Sequence, residues 1–316
     1  MKEAIFIKRN TEKWKEYEST QTNDPDQLTE RFIELTDDLS FSKTFYPKDT
    51  ITQYLNGITA QLHQKLYSNR PEDRRRIKSF WIEELPLLMY EVRCKLLYSF
   101  LFSLVAFLLG WVSAANDDTF VRLILGDSYV NQTLENINSG DPLAIYKSES
   151  QANMFMAITV NNIRVSFVAF VLGLFYSAGT VYVLFQNGIM LGAFQYFFYA
   201  RGLLMASVLK IWIHGTLEIS AIIIAGCAGL VMGNSLIFSG TFGRLESFKM
   251  GAKRGLKVII GLVPIFIMAG FLESFVTRLT LPIPVSVGII TVSAVFIGWY
   301  FVVYPRKIYR NSQKNN

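Results

Sequence analysis

The run from Leu204 to Gly233 constrains this chain more than any other stretch. It is long and apolar enough to be read as a membrane helix. At its start stands Ile211-Trp-Ile-His-Gly-Thr-Leu-Glu-Ile-Ser-Ala221, in which His214 and Glu218 lie four residues apart. That spacing puts both on one helix face. An ionisable group costs about 2.5–3.5 kcal/mol at the centre of a membrane helix on insertion scales. The pair must therefore face protein or a wet cavity. Continuing that face gives Ala221, Ala225, Ala228 and Gly229, small residues that let another backbone come close. Gly226, Gly229 and Gly233 are read as the packing positions of this helix, and a glycine-rich stripe of this kind allows a homodimer.

Further apolar stretches place other crossings at about 96–115, 163–185, 258–278 and 284–304. The stretch 188–200 is apolar but spans only about 20 Å as a helix. Parity decides how to read it. Residues 234–257 carry Arg244, Lys249, Lys253, Arg254 and Lys257 against Glu246, and the end of the chain carries Arg306, Lys307, Arg310 and Lys314. The positive-inside rule puts both groups in the cytoplasm and the acidic segment 116–160 outside. That requires three crossings between 163 and 233, so 188–200 is read as a short third crossing; a re-entrant hairpin is the alternative. The expectation is an all-α polytopic protein of the cytoplasmic membrane with about six crossings and both termini cytoplasmic. The domains expected are a helical bundle at 1–70, a surface helix at 71–94, the membrane domain at 95–305 and a basic tail at 306–316.

The N-terminal part differs in character. Residues 1–93 carry 15 Lys/Arg and 16 Asp/Glu, and helical spacing of Leu28, Leu35 and Leu39, and of Leu55, Ile58 and Leu62, predicts helices at about 26–45 and 50–68. An earlier helix at 2–20 carries Ile5, Phe6, Trp14 and Tyr17. Pro71 opens a fourth helix. Its basic run Arg74, Arg75, Arg76 and Lys78, followed by Phe80 and Trp81, suits a helix on the inner membrane surface in contact with lipid. Membrane follows at once, so a nucleic-acid partner is set aside. The chain starts with charge and no long apolar region, so no signal peptide is expected. Cys94 and Cys227 form no metal spacing and no disulfide framework.

With this topology six titratable groups share the outer half of the membrane: His214, Glu218, Glu273, Arg164, Arg201 and Arg278. Opposite signs can then pair, as buried charges must. The cluster reads as a proton relay or substrate site, against a plain role in holding helices together. No metal is expected, because His214 and Glu218 supply two ligands where a catalytic zinc takes three protein ligands. No cofactor and no catalytic residue is expected either. Neither a Gly-x-Ser-x-Gly elbow nor a His-Glu-x-x-His motif occurs, and Gly251-Ala-Lys-Arg-Gly255 lacks the spacing of a phosphate loop. Pro264 is expected to kink its helix.

Several short runs carry a resemblance: Ser113-Ala-Ala-Asn-Asp117, Asn161-Asn-Ile-Arg164, Asn187-Gly-Ile-Met-Leu-Gly192 and above all His214-Gly-Thr-Leu-Glu218. In these the chain resembles the stage II sporulation protein M family of integral membrane proteins. Leu35-Thr-Asp-Asp-Leu39, Phe45-Tyr-Pro47 and Tyr54-Leu-Asn56 look like its longer members, which carry an added cytoplasmic domain. The resemblance implies a bacterial or archaeal membrane protein. The founding member acts in cell-envelope remodelling and helps assemble peptidoglycan-degrading partners. The function implied is thus a non-enzymatic protein that organises membrane or envelope partners. A transporter or channel-like protein using the outer polar cluster is the alternative.

Overall fold

The computed structural model describes residues 3–19, 22, 24–47, 49–68, 74–140 and 150–314. The chain divides into two compact units, Met1–Ile77 and Lys78–Asn316. Among the described residues the regular structure is entirely helical.

The first unit holds three helices, α1 (Glu3–Ser19), α2 (Pro25–Phe45) and α3 (Thr50–Ser68). The Asp24 carboxylate accepts from the Asp26 amide at 3.1 Å and Pro25 occupies the first turn, so α2 starts where its caps dictate. Pro47 forces Tyr46 out of the helical region and ends it. Leu28, Leu35 and Leu39 of α2 meet Ile51, Leu55, Ile58 and Leu62 of α3 in one core, closed by Phe6 and Trp14 of α1. Trp14 is fully buried and its indole N–H donates to Asp38 at 2.8 Å. Tyr17 donates to Glu34 at 2.8 Å. Partial burial and that carboxylate push the phenol up to about 12. Ile5 and Tyr54 are exposed.

The division between the units falls within α4 (Arg74–Ser79), which passes through a π-helical turn, Phe80–Glu84, into α5 (Leu85–Glu91). Pro71 and the side chains of Arg74, Arg75 and Arg76 lie outside the described residues; Lys78 is exposed. Then come α6 (Arg93–Asn116), α7 (Asp118–Leu125), α8 (Asp127–Asn138), α9 (Gln151–Val171) and α10 (Ala178–Tyr199). The chain continues as α11 (Leu204–Ile237), α12 (Arg244–Phe271), α13 (Ile283–Gly298) and α14 (Tyr304–Lys314). A π-helical turn at Leu272–Val276 extends α12, and another at Trp299–Val303 joins α13 to α14. Pro264 lies within α12. Leu85, Leu88, Met89 and Val92 are buried in the same core as Val258, Leu262 and Phe266 of α12, so protein covers the apolar side of α5. Tyr300 and Tyr304 donate to the carbonyls of Trp81 and Ile82 at 2.7 and 3.0 Å. Glu84 pairs with Lys257, and Glu91 lies 3.6 Å from Arg254.

Five described helical runs are long and apolar enough to cross a membrane: Arg93–Asn116, Gln151–Leu174, Leu204–Ile237, Arg244–Val276 and Ile283–Gln313. Outside these five, α10 has 22 residues and no charged side chain. At about 1.5 Å per residue its length matches the hydrocarbon thickness. The sequence reading of crossings at 163–185 and 188–200 is corrected here. The chain turns at 172–177, with Tyr176 and Ser177 in the left-handed region (φ 52 and 70), so the apolar stretch 163–185 is divided between α9, which begins at Gln151, and α10, which runs from Ala178 through the stretch 188–200 to Tyr199. Hydropathy misses this turn because Leu172-Gly-Leu-Phe-Tyr-Ser-Ala-Gly179 has no charge to mark it.

The longest helix, α11, is the most enclosed, with α6, α9, α10, α12 and α13 around it. Gly226 lies against Ser99 and Leu184, Gly229 against Thr180 and the Ala169 carbonyl, and Gly233 against Ser177. The glycine stripe is thus occupied by this chain's own helices. Ser99 and Thr180 donate to the carbonyls of Ile223 and Ala169 at 2.5 and 2.7 Å, fixing those close approaches.

Candidate functional site

Three elements bring titratable groups together. His214 and Glu218 project from one face of α11, as their spacing requires. Glu273 comes from the π-helical turn after α12. That turn carries an i→i+5 bond, Thr277 N–H to the Leu272 carbonyl at 2.8 Å, which re-aims its side chains relative to an α-helix. One donor atom each from His214, Glu218 and Glu273 lies within 4.8 Å of the other two. His214 is 4% and Glu273 9% exposed; Glu218 is half-buried.

The hydrogen bonds around His214 orient its ring. Thr277 Oγ1 lies 3.1 Å from His214 Nδ1 and 3.1 Å from the Leu272 carbonyl. The hydroxyl donates to that carbonyl and so accepts from the ring. This network assigns the imidazole proton to Nδ1 and leaves the Nε2 lone pair inside the cluster. Nε2 lies 3.8 Å from Glu273 Oε1, too far for a hydrogen bond. Asn162 of α9 approaches Glu218. It is 4% exposed, and its Nδ2 has no partner of normal geometry among the described residues.

The three arginines expected beside these groups lie elsewhere. Arg164 is exposed on α9. Arg201 donates to the Phe197 carbonyl at 2.7 Å and covers the Phe197 ring at 3.7 Å. Arg278 reaches Met154 Sδ at 2.9 Å. The ion pairs expected between these arginines and the carboxylates are thus not found among the described residues. Depth along a helix is legible in a sequence, whereas rotation about its axis is set by packing. The sequence reading also missed two members, Asn162 and Thr277. Asn162 lies in one of the quoted motifs, Asn161-Asn-Ile-Arg164; Thr277 carries no signal.

Two clefts of about 360 Å³ each reach this site. Tyr129 of α8, Met190 and Phe194 of α10, and His214, Glu218 and Glu273 line the first. Phe100 and Phe107 of α6, with Asn187, Trp212, Thr216 and Glu218, line the second. Met190, Leu191, Glu218 and Ile219 belong to both, so the carboxylate stands where they meet. Phe100 and Leu104, which line only the second cleft, are exposed on the apolar flank, so that cleft faces the lipid side. Beside the first stands the α7–α8 hairpin, whose start is capped by Asp117, accepting from the Thr119 hydroxyl and amide at 2.7 and 2.8 Å. Those bonds hold the Asp117 carboxyl below the usual carboxylate range.

Residues 99–278 match the model of the family described as Stage II sporulation protein M. The matched region contains His214, Glu218 and Glu273 together with Asn162 and Thr277. Residues 4–68 match a second family, described as Domain of unknown function (DUF8413). An uncharacterised protein of Methanocaldococcus jannaschii is 27% identical over 138 residues, covering 43% of this chain and 61% of the relative. The chain thus spans less than two thirds of that relative's length. No solved structure matches the chain.

Proposed function

Because the chain belongs to the stage II sporulation protein M family, we propose that it is a transporter- or channel-like protein of the cytoplasmic membrane, working through His214, Glu218 and Glu273. The observation that carries this reading is the meeting of two clefts at Glu218. A cluster that merely joined helices would be dry and internally paired. Here two carboxylates and an imidazole meet at the junction of two clefts, where a passing cation or proton would find negative charge to bind. Both termini are cytoplasmic in this reading, since the basic residues of α12 and α14 mark that side and the acidic α7–α8 segment marks the other. The site then lies in the outer half of the bilayer. The protein is non-enzymatic. The hydroxyls nearest the cluster, on Thr216 and Thr277, donate to the Trp212 and Leu272 carbonyls at 2.7 and 3.1 Å.

The test is cation and proton flux into proteoliposomes. Wild-type protein carries a flux that Glu218→Gln abolishes while the helical fold persists. Equal flux in both, or none in the wild type, removes the reading.

One feature favours a second role beside it. Residues 1–77 form a unit with its own core, suited to docking membrane or envelope partners as the family resemblance implies. Deleting residues 1–70 then leaves membrane insertion intact and loses those partners. An unchanged set of partners ends this role.

A further inference from the structure

We infer that His214 Nε2, Glu218 and Glu273 form a binding site for a divalent transition-metal cation of the zinc class, with the Asn162 amide beside it. As a binding site this stands on geometry; as the identity of the cargo it rests on the transport reading above.

Four features converge on a metal. The donor set is one imidazole nitrogen and two carboxylates, the three protein ligands that an open zinc site uses. The structure supplies in Glu273 the third ligand that sequence spacing lacks. Donor atoms of a tetrahedral site lie about 3.4 Å apart at zinc bond lengths. Those of this cluster are within 4.8 Å, a gap closed by rotating the two carboxyl groups. Thr277 accepts from Nδ1–H, the kind of outer contact that fixes the ring and tautomer of a ligating histidine and turns Nε2 toward the two carboxylates. Finally, a neutral imidazole and two carboxylates carry two negative charges. One divalent cation cancels them inside hydrocarbon, where an uncompensated charge is costly.

The chemistry also discriminates between ions. Calcium takes six to eight oxygen ligands and magnesium keeps its waters, whereas imidazole suits zinc, iron and copper. Neither cysteine competes: Cys227 donates to the Val92 carbonyl at 3.8 Å, two turns or more from the cluster along α11, and Cys94 is exposed. The Asn162 Nδ2, buried beside Glu218 and without a partner of normal geometry among the described residues, is placed to hydrogen-bond a metal-bound carboxylate or water. The first cleft provides the entry path.

The experiment uses full-length protein in detergent, stripped with a chelator and dialysed against Zn²⁺, with bound metal counted by elemental analysis. About one Zn²⁺ per chain is expected, as one three-ligand site requires. Glu273→Gln and His214→Gln each weaken it by at least ~10-fold with helical content unchanged, and Thr277→Val by a similar factor through the ring orientation. His63→Gln, in the first unit, leaves it unchanged. Should a variant not fold, Co²⁺ replaces Zn²⁺ in the wild type, and its absorption spectrum reports whether nitrogen and oxygen ligands surround it. Substoichiometric Zn²⁺ in the wild type overturns the inference, as does full binding in both folded ligand variants. Zn²⁺ binding without Zn²⁺ flux in proteoliposomes supports the site and ends the transport reading. Proton flux without Zn²⁺ binding does the reverse.

Discussion

Thr277 holds the His214 ring from below: its hydroxyl oxygen is 3.1 Å from Nδ1, and both its backbone N–H and its hydroxyl reach the Leu272 carbonyl. One π-helical turn therefore delivers Glu273 to the cluster and orients the histidine facing it. Replacing Thr277 by Val leaves a buried N–H without an acceptor, at a cost of about 1–3 kcal/mol. The melting temperature in detergent should fall, and Thr277→Ser should restore it. Equal stability of Val and Thr would mean that the ring is held otherwise.

Glu218→Gln tests how the carboxylates are balanced. Among the described residues no cation contacts Glu218, and Glu273 is its near neighbour. Removing the charge should leave the melting temperature unchanged or raised while flux is lost. A loss of about 3–5 kcal/mol, the usual cost of stripping a buried cation of its partner, would contradict this arrangement.

Packing of α11 predicts a contrast between two glycines. A methyl at Gly229 would meet the Ala169 carbonyl oxygen at 2.5 Å, whereas one at Gly288 meets nothing within 4 Å. Gly229→Ala should cost about 1–3 kcal/mol through overpacking. Gly288→Ala should be neutral or gain up to about 1 kcal/mol from helix propensity. Thermal unfolding of the two variants side by side decides it.

Topology is checked by labelling. In a Cys94→Ser background, Asn138→Cys at the end of α8 should react with an impermeant thiol reagent on intact cells. Gln313→Cys in α14 should react only after permeabilisation. Labelling of both, or of 313 alone, breaks the proposed orientation.

Tyr17 gives a pH prediction for the first unit. Its folded value, about 12, is raised above the ordinary phenol value of about 10. Its contribution to stability is therefore complete below pH about 10 and lost as the pH rises through about 12. The difference in alkaline absorbance titration between wild type and Tyr17→Phe should have its midpoint near 12. A midpoint near 10 would mean that Tyr17 is not packed on α2.

Composition and periodicity alone determined that this chain is helical and spans a membrane. Apolar runs of that length have no other stable form in lipid. The same local signals placed α2 and α3, because capping residues and prolines act on their own neighbours. They also placed His214 and Glu218 on one face, since helix geometry is fixed by the backbone. Tertiary structure decided what depends on contacts distant in sequence. The turn at 172–177 is as apolar as the helices it joins, and its position follows from close packing of Gly173 and Ser177 on α11. Rotation of each helix about its axis turned Arg164, Arg201 and Arg278 away from the carboxylates, and no pattern along the chain records that angle. Glu273 and Thr277 reached His214 through a π-helical turn whose extra residue shifts every side chain after it. The third ligand of the site was therefore visible as a residue at the right depth, and became a ligand only once α12 was packed against α11.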